Sequence, residues 1–203
     1  MATRKGENPN HPKKGSLIIV EPIRERAAIK RIKKLLKSKP RDYCLFIFGI
    51  NTAYRANEIL SIRASQVRNL QAGDSLNVKM SKTGKYRRVS LNENVIKAIQ
   101  YLLQTRNFTD DEFLFQSQRG ENVPLGVDTL STYVKRWCYH AGLKGNFASH
   151  TLRKTWGYWQ RIENNTPIPL LMEAFGHSTQ QQTLAYLGIQ PQEIQDVYMA
   201  VKL

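Results

Sequence analysis

Five short stretches of this sequence hold residue types that can act together on an anionic substrate. In Thr52-Ala53-Tyr54-Arg55-Ala56-Asn57-Glu58, Arg55 stands three residues before Glu58, the spacing of one helix face. His150-Thr151-Leu152-Arg153 repeats that interval with a histidine and a second arginine. Phe175-Gly176-His177-Ser178 sets His177 just past a helix end, in a glycine turn, and Tyr186 follows nine residues later in Thr183-Leu184-Ala185-Tyr186-Leu187. Lys82 lies in the turn-like run Ser81-Lys82-Thr83-Gly84-Lys85. These types supply permanently charged forks, proton carriers that titrate near neutrality and an oxygen nucleophile. Taken singly, each has a commonplace reading: a surface ion pair, a chance pair, a capping histidine, a core tyrosine.

Composition favours a polyanion as partner. Lysine and arginine number 31 against 16 acidic residues in 203, a net charge of +15. Nucleic acid is the first reading and an anionic membrane surface the second. The excess is uneven, since residues 1–40 hold 12 Lys/Arg and 3 Glu. That stretch is a candidate DNA-binding arm, although basic runs are also common as solvated tails. Cys44 and Cys138 sit in apolar surroundings without CxxC spacing and read as small core hydrophobes. No apolar run approaches the roughly 20 residues of a membrane span, and the polar N-terminus lacks a signal-peptide core, so no membrane is expected and the location predicted is the reduced cytoplasm, on DNA.

The chain is long enough for one sizeable core. Residues 1–16 are too polar to offset the entropy of ordering, and Leu17-Ile18-Ile19-Val20 is β-prone. From Pro22, the apolar positions Ile23, Ala27, Leu35 and Leu36 among Arg and Lys predict a basic amphipathic helix. Tyr43 to Ile50 is a buried helix, and Asn51-Thr52 a cap for a next helix running from Arg55 to Ile62. Alternation in Leu76 to Met80 and Tyr86 to Leu91 predicts a β-hairpin with Lys82 at its tip. Helices follow from Asn92 to Leu103, Thr129 to Ala141, Thr151 to Arg161, Leu170 to Phe175, Gln180 to Leu187 and Gln192 to Val201, with a short extended piece at Phe113 to Phe115. The fold class is mostly α with a small antiparallel β-sheet. The expected division is a basic, flexible arm at 1–22 and one domain over 23–203, including a tail helix.

In order and spacing these stretches resemble the signature of the tyrosine recombinase (phage integrase) family: T-G-x-R-x-x-E, a hairpin lysine, H-x-x-R, G-H, and a tyrosine nine residues after that histidine. The resemblance runs from about Ile23 to the C-terminus. Arg55 matches the first family arginine, Glu58 its acidic neighbour, Lys82 the hairpin lysine, His150 and Arg153 the H-x-x-R pair, His177 the second histidine and Tyr186 the nucleophile. Ala53 departs from the usual glycine, and Ser65-Gln66-Val67 stands where an acidic residue usually follows.

The resemblance implies the DNA breaking-rejoining catalytic-domain fold and a reaction without metal, nucleotide or other cofactor. The tyrosine attacks a phosphodiester, leaving a 3′-phosphotyrosyl bond and a free 5′-hydroxyl, so bond energy is kept for religation. Arg55 and Arg153 would clamp phosphate oxygens with His177 as third donor, replacing the metal clamp of many nucleases. The phenol proton would go to His150, or be driven off by the field of the arginines. Lys82 is the family's general acid for the leaving oxygen, with Lys85 the near alternative, and Glu58 orients Arg55 or the histidine.

The partners implied are double-stranded DNA, further copies of the chain on DNA in a tetrameric synapse (a monomer when free), and an accessory DNA-bending protein. Most family members carry a core-binding domain ahead of the catalytic one; the layout here is similar to that of fimbrial phase-variation invertases, with an excised fragment as the other reading. The tail stripe Ile194, Val197, Tyr198 and Val201 would dock on a neighbour or on its own domain. Two other functions stay open: a catalytically silent DNA-binding regulator, and a type IB topoisomerase.

Overall fold

The computed structural model describes residues 20–79, 84, 86–188 and 191–200. The arm expected at 1–22 is therefore described only at its end. There Glu21 donates its backbone N–H to Asn146 O (2.9 Å), and Pro22 and Ile23 are buried.

Helix α1 (Arg26–Leu36) buries Ala28, Ile32 and Leu36, a stripe at intervals of four. The expected face through Ala27 and Leu35 is turned outward, with Leu35 39% exposed. The reason lies outside the helix, in anchors that set its rotation: Ile23 N–H donates to Thr155 Oγ1 (2.8 Å), Trp159 Nε1 donates to Ile23 O (3.0 Å), and Arg26 pairs with Glu163.

Helix α2 (Pro40–Asn51) starts on a proline, which loses no hydrogen bond at that position, and buries every residue from Cys44 to Gly49. Gly49 lets it approach the later helix α6 (Ser149–Ile162), since a Cβ there would lie 2.6 Å from Leu152 Cδ1. Asn51 and Thr52 close this helix rather than opening the next. Asn51 Nδ2 donates to Ile47 O (2.8 Å) and Thr52 Oγ1 to Phe48 O (2.9 Å), so both side chains are spent on the preceding turn. Helix α3 (Ala56–Leu60) is consequently short and begins one residue after Arg55.

Strands β1 (Ser75–Lys79) and β2 (Tyr86–Ser90) pair antiparallel, with Leu76 opposite Val89 and Val78 opposite Arg87. The fully buried Tyr54 ties their base to the Arg55 segment by donating its hydroxyl to Leu76 O (2.5 Å). Asn92 caps α4 (Glu93–Leu103), its Oδ1 accepting from Val95 N–H at 3.1 Å. Phe113 bridges Arg63, and α5 (Val127–His140) follows. After α6 come α7 (Ile168–Phe175), α8 (Gln180–Leu187) and α9 (Pro191–Ala200). The architecture is mostly helical with one two-stranded sheet, as the periodicities predict.

The main core gathers Phe46, Phe48, Tyr54, Phe115 and their aliphatic neighbours between α1, α2, α4, α5 and the hairpin. Burying each large side chain contributes about 1.5–3 kcal/mol. Both cysteines belong to it, and burial pushes the Cys138 thiol up to about 12, which suits an inert packing role. A smaller cluster of Ala53, Leu171, Phe175 and Leu187, with Trp156 and Tyr186 packed on it, lies between α6, α7 and α8. On α9, Val197, Tyr198 and Met199 are 72%, 80% and 65% exposed, so these positions do not dock on their own domain. Among the described residues, no helix is long and apolar enough to cross a membrane.

Candidate active site

Arg55 and Glu58 are placed by the start of α3. The Glu58 carboxylate, 2% exposed, reaches back one turn: Oε2 accepts from the Arg55 backbone N–H (2.7 Å) and Oε1 from Arg55 Nη1 (3.0 Å). The contact satisfies a free helix-end donor and fixes the arginine's direction in one step. Arg87 approaches the same carboxylate from β2, its Nε 3.6 Å from Oε2. A buried carboxylate needs such partners, and here two guanidinium groups share it.

Arg153, in the second turn of α6, is 3% exposed. Its Nη2 donates to Phe175 O and its guanidinium lies 5.0 Å from the Phe175 ring. Its Nε is buried and has no hydrogen-bond partner among the described residues. Burial pulls this arginine down to about 10, so it is still charged at neutral pH.

His150 lies in the first turn of α6, where its Nδ1 stands 3.4 Å from the Tyr186 hydroxyl. The residue is exposed overall, but its ring faces Tyr186 with centroids 6.4 Å apart. Burial, Arg153, Lys154 and Arg55 all hold the imidazole below its ordinary value, so at neutral pH it is uncharged and able to take a proton.

His177 follows Gly176, which ends α7 in the left-handed conformation (φ 59°). Glycine is required there twice over, because a Cβ would also lie 2.6 Å from Arg87 Nη2. The imidazole stacks on Phe175 (5.1 Å, 21°), and its Nδ1 lies 3.0 Å from Thr183 Oγ1. Thr179 O, at 3.4 Å, competes for the single Thr183 hydroxyl proton; when that proton goes to His177 Nδ1 at the shorter 3.0 Å, Nε2 is the N–H. Burial, then Arg153, Arg55 and Arg87, push His177 down to about 4. The unfolded chain thus binds a proton between about pH 6.5 and 4 that the fold refuses. Stability is expected to fall as pH drops through that window, and His177→Gln to flatten the fall; melting curves from pH 7 to 4 that coincide in shape for the two proteins would contradict it.

Tyr186 is half-buried. Its ring packs edge-on against Phe175 and His177, each at 5.2 Å, so the commonplace core reading describes its body while its hydroxyl faces His150. Burial pushes the phenol up to about 12 against the pull of Arg153 and Arg55. Helix α8 can come this close because α6 has Gly157, whose added Cβ would strike the Phe175 ring and lie 2.7 Å from Leu187 Cδ2. Gly157→Ala gains about 1 kcal/mol of helix propensity but overpacks a site that costs about 1–3 kcal/mol. A net fall in melting temperature is expected; a rise would show that α8 is free to shift.

Arg55, Glu58, His150, Arg153, His177 and Tyr186 are thus gathered at one place. Lys82 and its alternative Lys85 lie outside the described residues. Sequence reasoning missed Arg87, which donates to Ala174 O (2.7 Å) and Phe175 O (3.1 Å) and so braces the turn before His177. Its signal was an arginine on the inward side of an alternating strand, opposite Val78. It also missed Thr183, the His177 partner, and Lys154, whose Nζ lies 4.9 Å from the Tyr186 ring centroid.

Comparison with known proteins adds a frame. The phage integrase family pattern matches residues 24–193. The probable integrase/recombinase YoeC of Bacillus subtilis is 36% identical over 174 residues, 84% of this chain and 91% of that protein. The tyrosine recombinase XerC of Caldanaerobacter subterraneus is 30% identical over 177 residues, 83% of this chain but 48% of that one, so the chain spans about half of this relative. The crystal structure of XerA recombinase superposes with a TM-score of 0.73 at 23% identity, covering 91% of this chain and 66% of that chain. XerH site-specific recombinase, bound to palindromic difH substrate in a post-cleavage complex, superposes with 0.70 at 23% identity over 85% and 49%. At these identities the two structures carry the fold.

Proposed function

Because the chain belongs to the phage integrase family, we propose that it is a tyrosine-type site-specific DNA recombinase that cleaves and rejoins double-stranded DNA through Tyr186. The observation that carries this reading is the Tyr186 hydroxyl 3.4 Å from His150 Nδ1, with the Arg153 guanidinium 5.9 Å from the centroid of the same ring. A charged planar fork beside a proton acceptor and a hydroxyl nucleophile is the set that a phosphodiester requires.

In the cleavage step the Tyr186 Oη–phosphorus bond forms and the phosphorus–O5′ bond breaks. The phenol proton passes to neutral His150, and the leaving 5′-oxygen takes a proton from Lys82. Arg55, Arg153 and the His177 N–H hold the non-bridging oxygens as charge builds on them. Glu58 and Arg87 touch no substrate; they hold Arg55 and the His177 turn in place. Religation reverses every transfer with a new 5′-hydroxyl. The same chemistry serves integration, excision and inversion. Assembly on DNA as a tetramer, with an accessory bending protein, belongs to this proposal, and the exposed Val197, Tyr198 and Met199 on α9 are available to a neighbouring copy.

Incubation with nicked duplexes, from which the 5′-hydroxyl fragment diffuses away, tests the reading. A covalent adduct on the strand bearing the 3′-phosphate is expected. The burial that holds the Tyr186 phenol near 12 favours the second reading, a DNA-binding regulator; that reading predicts salt-sensitive binding and no adduct on any duplex that the protein binds.

A further inference from the structure

Beyond helping to keep His150 uncharged, Lys154 is given no part in the chemistry above, yet it stands against the nucleophile. It follows Arg153 directly and lies four residues after His150, so α6 presents all three toward Tyr186 within little more than one turn. Its half-buried ammonium makes no ion pair with a carboxylate among the described residues. The nearby groups from the segment before α1 are Arg24, which repels it, and Glu21, which attracts it from a distance but is engaged with Arg24 and the Asn146 N–H. A desolvated cation without a contact ion pair gains from other negative density close by, and its Nζ lies 4.9 Å from the Tyr186 ring centroid.

Resting on the assignment of Tyr186 as nucleophile, we propose that Lys154 is a positioning residue for it: the ammonium over the ring face favours the phenolate and holds the ring in place, leaving the oxygen clear for His150 and phosphorus. A neutral phenol offers that face only its quadrupole. A phenolate shares a full negative charge with its ortho and para carbons, so a cation at the face gains more from the ionised form. The other charged or titratable groups facing Tyr186 are His150 and Arg153 from α6, Arg55 before α3 and His177 from the turn after α7. His150 acts on the oxygen end; Lys154 acts through the ring at 4.9 Å, closer than the Arg153 guanidinium at 5.9 Å.

The test places a fluorinated tyrosine at position 186, which ionises several units lower than tyrosine, and follows its titration by fluorine NMR in the full chain without DNA. Lys154→Met keeps the aliphatic stem and removes the charge. It is expected to raise the phenol pKa by about one unit and to slow cleavage of a nicked duplex about tenfold near neutral pH, with Lys154→Arg recovering most of both. Should Lys154→Met not fold, Lys154→Gln carries the same expectation. A titration unmoved in the folded variants, or one that Lys154→Arg fails to recover, overturns the role. Because the titration needs no DNA, a shifted phenol in a protein that forms no adduct would refute the recombinase reading and leave the Lys154 contact standing.

Discussion

Tyr186→Phe is expected to abolish the covalent adduct on nicked DNA while leaving DNA affinity and melting temperature nearly unchanged. The separation follows from the way the side chain is held. Its ring packs on Phe175 and His177, within the small cluster under the site, and phenylalanine fills the same space. Among the described residues the hydroxyl makes one polar contact, 3.4 Å from His150 Nδ1, and His150 is itself exposed, so removing it strands no buried partner there. A large loss of stability in this variant would mean that the hydroxyl is structural, and an undiminished adduct would move the nucleophile elsewhere.

Arg153→Ala is expected to lower the rate of adduct formation by a factor of about 10²–10³, the usual cost of one preorganised donor to a developing charge. It also leaves Phe175 O without the Arg153 donor, although Arg87 still reaches that carbonyl at 3.1 Å. The stability cost is therefore about 1–3 kcal/mol rather than loss of the fold. Arg153→Lys separates the two effects. It keeps a charge near the site but loses the planar fork, so stability should recover more than rate. Equal recovery of both would reduce Arg153 to a structural bracket for the His177 turn. Single-turnover cleavage beside thermal unfolding reads both quantities.

The legible parts of this fold were those decided within a few residues. The unbroken apolar run of α2, the Asn92 cap and the alternation of the hairpin strands each carry their own signal. The spacing from His177 to Tyr186 carried the site, because a glycine end and a short helix leave little freedom between them. What the sequence hid was decided by partners far along the chain. The rotation of α1 depends on Thr155, Trp159 and Glu163, more than a hundred residues away. Thr52 looked like the start of a helix and became the end of one, since its hydroxyl donates back to Phe48 O at 2.9 Å. Arg87 read as an ordinary strand residue until the fold set Glu58 and the end of α7 around it. Lys154 drew no notice because its partner is a ring rather than a carboxylate.

The central claim is that one phenol, Tyr186, becomes bonded to DNA. Digestion of the trapped adduct to a peptide–nucleotide conjugate, sequenced by mass spectrometry, reads this directly. The account predicts a nucleotide phosphate on Tyr186 and on no other side chain. A conjugate at any other tyrosine, or at a serine or histidine of the Gly176-His177-Ser178 turn, would contradict it.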